Sequence, residues 1–554
     1  MAQTCLCLSI CFFLYVCHAT GSPLVQTPSG RIVGSLMTSR RGRTIHAFRG
    51  IRYAKPPVGE LRFQPPVLIT QYSEEVNATT EGPACPQPAD PGYYLDEDCL
   101  RLNVYTPGNR NVSSATNLPV IVYIHAGGFY SVSGRSDVAG PHYLLDKDLV
   151  LVTINYRLGS LGFLSTGDAE APGNNGFKDQ VTALRWVQRN IASFGGDPNC
   201  VTISGYSAGG ISVALHTVSP MSKGLFHRAV SMSGSPFSQV PFKKDLLSLA
   251  VKQARLVDCP ITSTKALVDC LKTVPWEKLG NSLDGFREFS IDPILIWTPV
   301  IEAEYGQERF LSEHPLHTIS SGKLNSVPLI VSQTRDEFFW EAFLVFENAI
   351  YTSLINSDWY SVSRSAFLLP EPSDHAADVL REFYFKNRTL GNNTRDGQDL
   401  GKLYGDGVIG FGVHRLANLM AYHNKQPTYY YEFDYIGNHS HYQDPTTGKP
   451  VGVAHHDELI YLFSLPIGFD DIPLSSSSDS MMVDKLTNNF YNFARTGDPN
   501  PLLDTSTPPV WPPIKPDRRT YLRITEHYSL GQNLFEDRFH VWDQLYPIDY
   551  SLKH

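Results

Sequence analysis

The sequence predicts an α/β fold with a large, mostly parallel central sheet and helices on both of its faces. Three strand-like apolar runs, at residues 102–105, 118–125 and 149–156, precede a helical pattern at 179–194. Strands that alternate with helical segments build parallel sheets, because each crossover needs an element that packs back onto the sheet. With 554 residues, 42% hydrophobic and 18% charged, the chain has enough apolar content for a large core.

The first 19 residues are predicted to be a secretory signal peptide. Their apolar run at 5–17 is too short to span a bilayer, and Ala19 suits the cleavage position. Because this segment has no Lys or Arg, an N-terminal membrane anchor is the alternative. No later run approaches the length of a membrane span. We therefore expect a secreted protein without a transmembrane segment.

The cysteines and glycosylation sequons suit an oxidising, extracellular compartment. Nine cysteines fall to five once the signal peptide is removed, and Cys85 with Cys99 and Cys259 with Cys270 form two close pairs that we expect to be disulfides. Cys200 is left over in a strand, where a buried free thiol is expected. N-x-S/T sequons, typical of secreted glycoproteins, stand at Asn77, Asn111, Asn387, Asn392 and Asn438.

The charge distribution argues against a nucleic-acid partner. The net charge is −9, and the basic cluster of Arg40, Arg41 and Arg43 lies in a Gly/Ser-rich stretch typical of a solvated loop. Around that loop, residues 30–66 alternate apolar and polar side chains between glycines. This alternation predicts an N-terminal antiparallel β-ribbon at an edge of the sheet.

Residues 200–220 carry the clearest chemical signal. A short β-branched strand is followed by Gly205-Tyr206-Ser207-Ala208-Gly209 and then by a helical pattern that Pro220 ends. A nucleophilic serine on a sharp strand-to-helix turn needs strained backbone and neighbours without side chains, which Gly205 and Gly209 supply. The Ala208 N–H at the helix start can stabilise an oxyanion. The alternative is a Gly/Ser turn before a buried helix.

The motifs that accompany this turn resemble the type-B carboxylesterase and cholinesterase family of the α/β-hydrolase fold, and secreted insect carboxylesterases in particular. They are EDCLRLNVY, HAGGFY, NYRLGSLGFLS, APGNNGFKDQVTALRWVQRNIASFGGDP and GYSAGG, in that order. The resemblance covers residues 30–547 and implies a single carboxylesterase domain at 20–554. It also implies structural ion pairs between Arg62 and Glu97 and between Arg157 and Asp179, and it agrees with both cysteine pairs.

A serine hydroxyl needs a base and an acid that orients it, and α/β-hydrolases supply them in the order serine, acid, histidine. Asp336 and Glu337 follow a β-like run at 327–331, and the residues alone leave both open. The resemblance implies Glu337. Ser332 and Phe338 stand where the family commonly has glycine, which leaves the local backbone conformation open.

The base is expected in the segment GVAHHDELIYLF. Residue chemistry does not distinguish His455 from His456, and most of the 18 histidines are expected to be surface or structural residues. The family pattern of Gly, two residues, His, two residues and an acid matches Gly452, His455 and Glu458. The resemblance therefore implies His455, and activity is expected to rise as His455 loses its proton near an ordinary pKa of about 6.5.

The oxyanion hole is assigned by resemblance to the N–H groups of Gly127, Gly128 and Ala208. A plain turn between a strand and a helix is the alternative for the two glycines. Ala126 replaces a family glycine, a small change that should leave the amides free. The aromatic residues Phe338, Phe339 and Trp340 either line this site or pack in the core.

No cofactor or metal is expected. Residues 405–410, GDGVIG, fit a dinucleotide fingerprint, but no strand precedes them. The sequence has no Walker A lysine at the required spacing, and neither a His-Glu-x-x-His motif nor paired Cys-x-x-Cys motifs that would indicate zinc.

The expected partner is a small-molecule substrate, and we expect a fairly broad esterase for uncharged carboxylic esters, with the acyl and alcohol sizes left open. Cholinesterases hold choline on a Trp in the first disulfide loop and carry Glu before the nucleophile, whereas this loop has no Trp and Tyr206 replaces the Glu. Juvenile hormone esterases usually have Gln there, which argues against that role. Three alternatives remain: a noncatalytic adhesion or binding protein, a hormone or pheromone esterase, and a lipase. Noncatalytic relatives commonly lose the serine or the histidine, whereas this chain retains both. The sequence does not indicate the oligomeric state.

Overall fold

The protein is described by a computed structural model over residues 21–552, except for 89–91, 93, 109–116, 239–241, 445 and 502–509. The predicted signal peptide at 1–19 and the Asn111 sequon lie outside the described residues.

The strands, in chain order, are β1 Leu24–Thr27, β2 Gly30–Val33, β3 Ser35–Thr38, β4 Thr44–Arg52, β5 Val76–Asn77, β6 Arg101–Pro107, β7 Leu118–Ile124, β8 Val150–Ile154, β9 Gly196–Tyr206, β10 Arg228–Met232, β11 Leu329–Thr334, β12 Thr428–Phe433, β13 Thr520–Ile524 and β14 Ser529–Gln532.

The α-helices are α1 Gly159–Phe163, α2 Asn175–Asn190, α3 Ala208–His216, α4 Leu247–Leu256, α5 Thr264–Thr273, α6 Trp276–Gly280, α7 Pro315–Ser320, α8 Glu341–Glu347, α9 Ala349–Ser357, α10 Trp359–Phe367, α11 Asp374–Phe385, α12 Thr394–Gly405, α13 Phe411–His423, α14 Ser478–Thr496 and α15 Glu536–Leu545. Short 3₁₀ helices lie at Gly59–Leu61, Leu144–Asp146, Ile191–Phe194, Pro220–Ser222, Leu283–Phe286 and Asp457–Tyr461, and a π-helical turn lies at Asp406–Gly410.

Eleven strands form one sheet in the order β14-β13-β12-β11-β10-β9-β7-β8-β6-β4-β3. The central pairings, from β13 to β8, are all parallel. The pairings at the two ends of the sheet are antiparallel. The predicted mostly parallel sheet is therefore confirmed.

The predicted N-terminal ribbon is antiparallel, but it is divided between two sheets. β1 and β2 form a hairpin that pairs with β5 in a separate three-stranded sheet. β3 and β4 instead pair with each other and extend the edge of the large sheet through β6. The ribbon thus links the small sheet to the large one.

Apolar side chains cover both faces of the sheet. All seven residues of β7 are buried, and its alternate residues belong to different core clusters, Val122 to one and Tyr123 to the other. Helix α2 packs into the first cluster through residues such as Trp186, and α14 into the second through residues such as Phe490. A strand buried on both faces reads as a continuous apolar run, which is the pattern that predicted β7.

The predicted cross-links are present. Disulfides join Cys85 to Cys99 and Cys259 to Cys270. Cys200 is a free thiol but only half-buried, because the buried part of β9 begins at the next residue. Buried ion pairs of the predicted structural kind join Arg62 to Glu97 and Arg157 to Asp179.

The described part of the chain contains no helix with the length and apolar character needed to cross a bilayer. Residues 405–410 end α12 and form the π-helical turn, so this glycine-rich segment is helical and does not follow a strand.

Candidate active site

Parallel pairing brings the carboxyl ends of several strands to one edge of the sheet. Ile124 of β7 lies opposite Gly205 of β9, and Tyr206 lies opposite Met232 of β10. Met232 in turn lies opposite Ser332 of β11. The segments that follow β7, β9 and β11 therefore converge, and they carry the predicted oxyanion glycines, the predicted nucleophile and the predicted acid.

Ser207 stands alone between β9 and α3, with φ 55° and ψ −118°. This conformation is costly for a residue with a side chain, on the order of 1–3 kcal/mol. Two backbone hydrogen bonds hold it: the Ser207 N–H donates to the Met232 carbonyl (2.9 Å), and the Ser207 carbonyl accepts from the Ile211 N–H (2.8 Å). The predicted nucleophile thus lies on a sharp turn fixed by both neighbouring elements.

The glycines beside Ser207 are required by close backbone contacts. A Cβ atom at Gly205 would lie 2.3 Å from the Gly209 carbonyl oxygen. A Cβ atom at Gly209 would lie 2.0 Å from the Ile124 carbonyl oxygen. Helix α3 therefore begins directly against the end of β7, and the two glycines supply the space that the predicted sharp turn needs.

The two candidate carboxylates have different partners. Glu337 is buried; its Oε1 accepts the Thr334 N–H at 2.8 Å, and its Oε2 contacts Nδ1 of His455. Asp336 instead pairs with Arg335 and accepts the Val453 N–H at 3.0 Å. The structure thus brings Glu337, and not Asp336, to the predicted base.

The segments that carry Glu337 and His455 are joined through their backbones. Asp336 and Ala454 form an isolated parallel β-bridge, and the Asp336 N–H donates to the Val453 carbonyl at 3.1 Å. This bridge sets the separation between the two side chains that follow it, one in each segment.

His455 is 0% exposed, and its Nε2 has no hydrogen-bond partner among the described residues. Burial, assisted by His441, holds the pKa of His455 well below its usual value, so the imidazole is neutral at pH 7. Burial also raises the pKa of the Glu337 carboxyl, whereas its contact with Nδ1 of His455 favours the carboxylate together with the imidazole proton on Nδ1. The lone pair on Nε2 is thereby free to accept a proton.

Aromatic rings surround the His455 imidazole. The ring centroid of Phe338 lies 4.4 Å away and that of Trp340 lies 6.3 Å away. Phe338 adopts φ 48°, a conformation that favours glycine, which agrees with its standing where the family commonly has glycine. Phe339 turns away from His455 and packs on Phe343 and Tyr442. Two of the three aromatic residues singled out in the sequence therefore border the base.

Two further buried polar residues, Ser332 and Glu458, are joined by a hydrogen bond. Ser332 is buried and donates its hydroxyl to Oε1 of Glu458 at 3.3 Å. Glu458 is fully buried, and burial raises its pKa well above the usual value. The Ser332 side chain thus binds Glu458, the acidic residue of the family pattern that also contains His455.

Tyr206 connects the nucleophile turn to the histidine segment, a role that the sequence reasoning missed. Its hydroxyl accepts the His456 N–H at 2.8 Å, and its ring centroid lies 4.9 Å from that of His455. Tyr206 is fully buried although it carries a hydroxyl, and a buried tyrosine usually requires a partner. A tyrosine directly before the predicted nucleophile, whose hydroxyl would need a partner when buried, is the signal in the sequence that could have revealed this role.

The predicted oxyanion donors lie in the two segments beside this turn. Gly127 and Gly128 follow β7 with φ 104° and 58°. The N–H groups of Tyr130 and Ser131 both donate to the Gly127 carbonyl at 2.9 Å. The Gly127 carbonyl is therefore hydrogen-bonded within the loop that follows β7. Ala208 is the first residue of α3, where a helix N–H has no intrahelical acceptor.

The four sequon asparagines within the described residues, Asn77, Asn387, Asn392 and Asn438, are exposed. Asn438 also donates its side-chain amide to Asp479 at 2.8 Å.

Comparison with known proteins identifies the family of the chain. The carboxylesterase family model matches residues 21–542. A juvenile hormone esterase of Tribolium castaneum is 38% identical over 512 residues, which cover 88% of this chain and 86% of that relative. Esterase FE4 of Myzus persicae is 36% identical over 548 residues, 95% of this chain and 92% of the relative.

A solved structure is also similar. The crystal structure of juvenile hormone esterase from Manduca sexta, with OTFP covalently attached, superposes with a TM-score of 0.84 at 29% identity and covers 95% of this chain and 100% of that one. Because the family model matches nearly the whole chain and the fold is shared over 95% of it, this chain belongs to the carboxylesterase family, with an α/β-hydrolase fold and the activity of a carboxylic ester hydrolase.

Proposed function

We propose that the chain hydrolyses uncharged carboxylic esters through an acyl-enzyme on Ser207. The observation that carries the proposal is the state of His455: its Nδ1 contacts Glu337, while its buried Nε2 has no partner among the described residues. The backbone of the neighbouring His456 is tied to Tyr206, the residue before Ser207. A neutral imidazole held in this way beside a serine turn is suited to remove the hydroxyl proton.

The proposed reaction has two halves. Nε2 of His455 takes the Ser207 proton as Oγ attacks the ester carbonyl, and Glu337 stabilises the imidazolium through Nδ1. The N–H groups of Gly127, Gly128 and Ala208 hold the oxyanion, each contributing about 3–4 kcal/mol to transition-state stabilisation. The alcohol leaves with the proton from His455. Water then attacks the acyl group with His455 again as the base, and Ser207 is regenerated.

Two features support an uncharged alcohol group in the substrate. The loop closed by Cys85 and Cys99 contains no Trp, and Tyr206 occupies the position where cholinesterases carry Glu. A quaternary ammonium group would thus lack both an indole face and a carboxylate in these positions. Phe338 and Trp340 instead offer apolar surface beside His455.

The test uses a covalent probe and a matched pair of serine variants. Diethyl 4-nitrophenyl phosphate should phosphorylate Ser207, as read by peptide mass spectrometry, and Ser207→Ala should lose about 10⁴-fold or more in kcat for 1-naphthyl acetate. Ser212→Ala, in the helix α3 that follows Ser207, should keep both the label and the activity. Labelling of another residue, or full activity of Ser207→Ala, contradicts the assignment of Ser207 as the nucleophile. Absence of both label and ester hydrolysis in the wild type would favour a noncatalytic protein.

Similarity to two juvenile hormone esterases favours, as a second candidate, a specialised activity on that hormone. A panel of substrates distinguishes a broad esterase from a specialised hormone esterase. It compares kcat/KM for juvenile hormone, short aromatic esters, choline esters and long-chain emulsions. A preference for the hormone of 100-fold or more, about 2.7 kcal/mol, supports the specialised role. Faster hydrolysis of emulsions than of soluble esters supports a lipase.

We further propose that the protein is secreted as one domain, residues 20–554, after cleavage behind Ala19, and that it carries N-linked glycans. The exposed positions of Asn77, Asn387, Asn392 and Asn438 support the second statement. Expression in insect cells should yield protein in the medium with a new N-terminus at residue 20, and deglycosylation should lower its mass. If the protein is instead found on membranes and still carries residues 1–19, the proposed cleavage is wrong.

A further inference from the structure

A cavity of about 870 Å³ borders Glu337 but is not lined by His455. Its wall consists of the end of β11 and the residues after it, together with parts of α8, α12 and α15. Among the described lining residues, Glu337 is shared with the proposed catalytic groups, whereas Ser207, His455 and the oxyanion residues do not line it. The cavity is therefore separate from the place where an ester would react, and its volume suits a small organic ligand.

Helix α12 leaves this space open because glycines line its inner side. Gly397, Gly401 and Gly405 recur every four residues and all border the cavity. A Cβ atom at Gly401 would lie 3.2 Å from Phe339, whereas one at Gly397 would meet no atom within 4 Å. Glycine disfavours a helix, and at position 397 it is not required by any close contact.

Two hydrogen-bond donors on the cavity wall have no acceptor. Gln333 is 1% exposed, and its Nε2 has no partner among the described residues. Nε of Arg538 is also buried without a partner there, although another nitrogen of the same guanidinium binds Asp406. Buried donors in native proteins are nearly always paired, and an acceptor that enters the cavity would satisfy both.

The carboxylates on the same wall are already paired. Asp336 pairs with Arg335. Asp406 accepts hydrogen bonds from Tyr384 (2.6 Å) and from Arg538 (2.9 Å). Glu337 accepts from Thr334 and contacts His455. These three carboxylates are therefore not free to bind a cation, whereas Gln333 and Arg538 each have a donor without an acceptor, which together favour an anionic ligand.

The remaining wall supplies an apolar surface and a cation. Four phenylalanines border the cavity: Phe339, Phe343, Phe346 and Phe535. Lys402 stands on the same wall with a half-exposed side chain, and its nearest carboxylate, Asp399, is 3.8 Å away. We propose that this cavity binds a medium-chain carboxylate, whose alkyl chain packs on the phenylalanines and whose head group accepts from Gln333 and Arg538 and is attracted by Lys402.

Occupancy should be transmitted to the reaction. Thr334 and Glu337 both line the cavity, and they also form the hydrogen bond that holds the acid against His455. This consequence rests on the proposed function, in which Glu337 orients the base. A carboxylate is moreover the product class of ester hydrolysis, so the bound acid is either released by this enzyme or taken from solution.

Binding is tested first without any use of catalysis, by titration calorimetry of dodecanoate into the full-length protein. Gly397→Leu should weaken binding about tenfold or more by filling the open space, and Gln333→Leu should weaken it about tenfold by removing a charged hydrogen bond. Gly468→Leu is the matched control, because a Cβ atom there also meets no atom within 4 Å and the residue lies outside the cavity wall. Equal affinity of Gly397→Leu and wild type overturns the site.

Two further arms define the head group and the coupling. Dodecanol should bind at least tenfold more weakly than dodecanoate, and equal affinities overturn the assigned carboxylate chemistry. Added dodecanoate should lower kcat for 1-naphthyl acetate without raising KM in wild type and in Gly468→Leu, but not in Gly397→Leu. The acid product of the test ester, acetate, serves as the short-chain control and should leave kcat unchanged. If binding follows the predictions while Ser207→Ala keeps full activity, the proposed mechanism fails and the binding site stands.

Discussion

The identity of the acid and of the base depends on which of two adjacent residues faces inward. Asp336 and Glu337 are consecutive carboxylates, yet one is used to bind Arg335 and Val453 and the other to contact His455. The β-bridge between Asp336 and Ala454 accounts for this division, since it directs the next residue of each segment towards the other.

Glu337→Gln should reduce kcat by about 10³–10⁴-fold, because an amide can hold the wrong tautomer of His455. Asp336→Asn should retain kcat within about tenfold, since its contacts are structural. Steady-state kinetics on a soluble ester compare the two, with circular dichroism as the check on folding. A larger loss of kcat in Asp336→Asn than in Glu337→Gln would reverse the assignment.

Tyr206 is a positioning residue, because its hydroxyl holds the backbone of the segment that carries His455. Tyr206→Phe leaves the His456 N–H without its acceptor, and we expect kcat to fall about tenfold, about 1.4 kcal/mol, with KM unchanged. Tyr528→Phe removes a comparable hydroxyl hydrogen bond, to Asn489, away from the site and should not affect kcat. A rise in KM at constant kcat would indicate that Tyr206 contacts substrate instead.

The pH profile follows from the burial of His455. Only the neutral imidazole can accept the Ser207 proton, so kcat/KM falls as pH drops through the pKa of His455. Because burial holds this pKa below its usual value near 6.5, the half-maximal point of the acidic limb should lie below pH 6.5. Profiles of kcat/KM between pH 4 and 9 measure it, and a midpoint above 6.5 contradicts the shift.

At the level of elements, the nucleophile turn depends on how closely α3 approaches β7. Much of this was predictable: β7 reads as an apolar run because both of its faces are buried, and the glycines around Ser207 report a tight turn. The division of the N-terminal ribbon between two sheets was not predictable, because alternation of apolar and polar residues does not specify a partner strand. The cavity was not predictable either, since the spacing of Gly397, Gly401 and Gly405 does not reveal which side of α12 faces inward.

Gly209→Ala should destabilise the protein by about 3 kcal/mol or more, because the added Cβ would lie 2.0 Å from a carbonyl oxygen that cannot move without shifting β7. Gly397→Ala, in open space on a helix, should stabilise it by up to about 1 kcal/mol. Thermal unfolding followed by circular dichroism compares the variants. Similar Tm values for the two would show that α3 can withdraw from β7 at little cost.

For the whole molecule, one large sheet assembles segments that are far apart in the chain, and two disulfides close short segments outside that sheet. The cysteines separated by 11 residues, Cys259 and Cys270, tie the end of α4 to α5. Replacing both with Ser should cost at most about 3 kcal/mol, because a short loop loses little entropy on closure. The Tm should fall by a few degrees, and we expect the kcat at 25 °C to stay unchanged, because neither cysteine belongs to the proposed catalytic groups. Loss of activity in the folded variant would contradict a purely structural role of this disulfide.

The convergence of strand ends at one edge means that the reactive centre has no local precursor. Gly127, Ser207, Glu337 and His455 come from four segments, and no pair of them is adjacent until β7, β9, β10 and β11 are in register. Turnover of a chromogenic ester is therefore a stringent reporter of tertiary assembly during refolding. We expect it to return only after the central strands are protected from hydrogen exchange, never ahead of them.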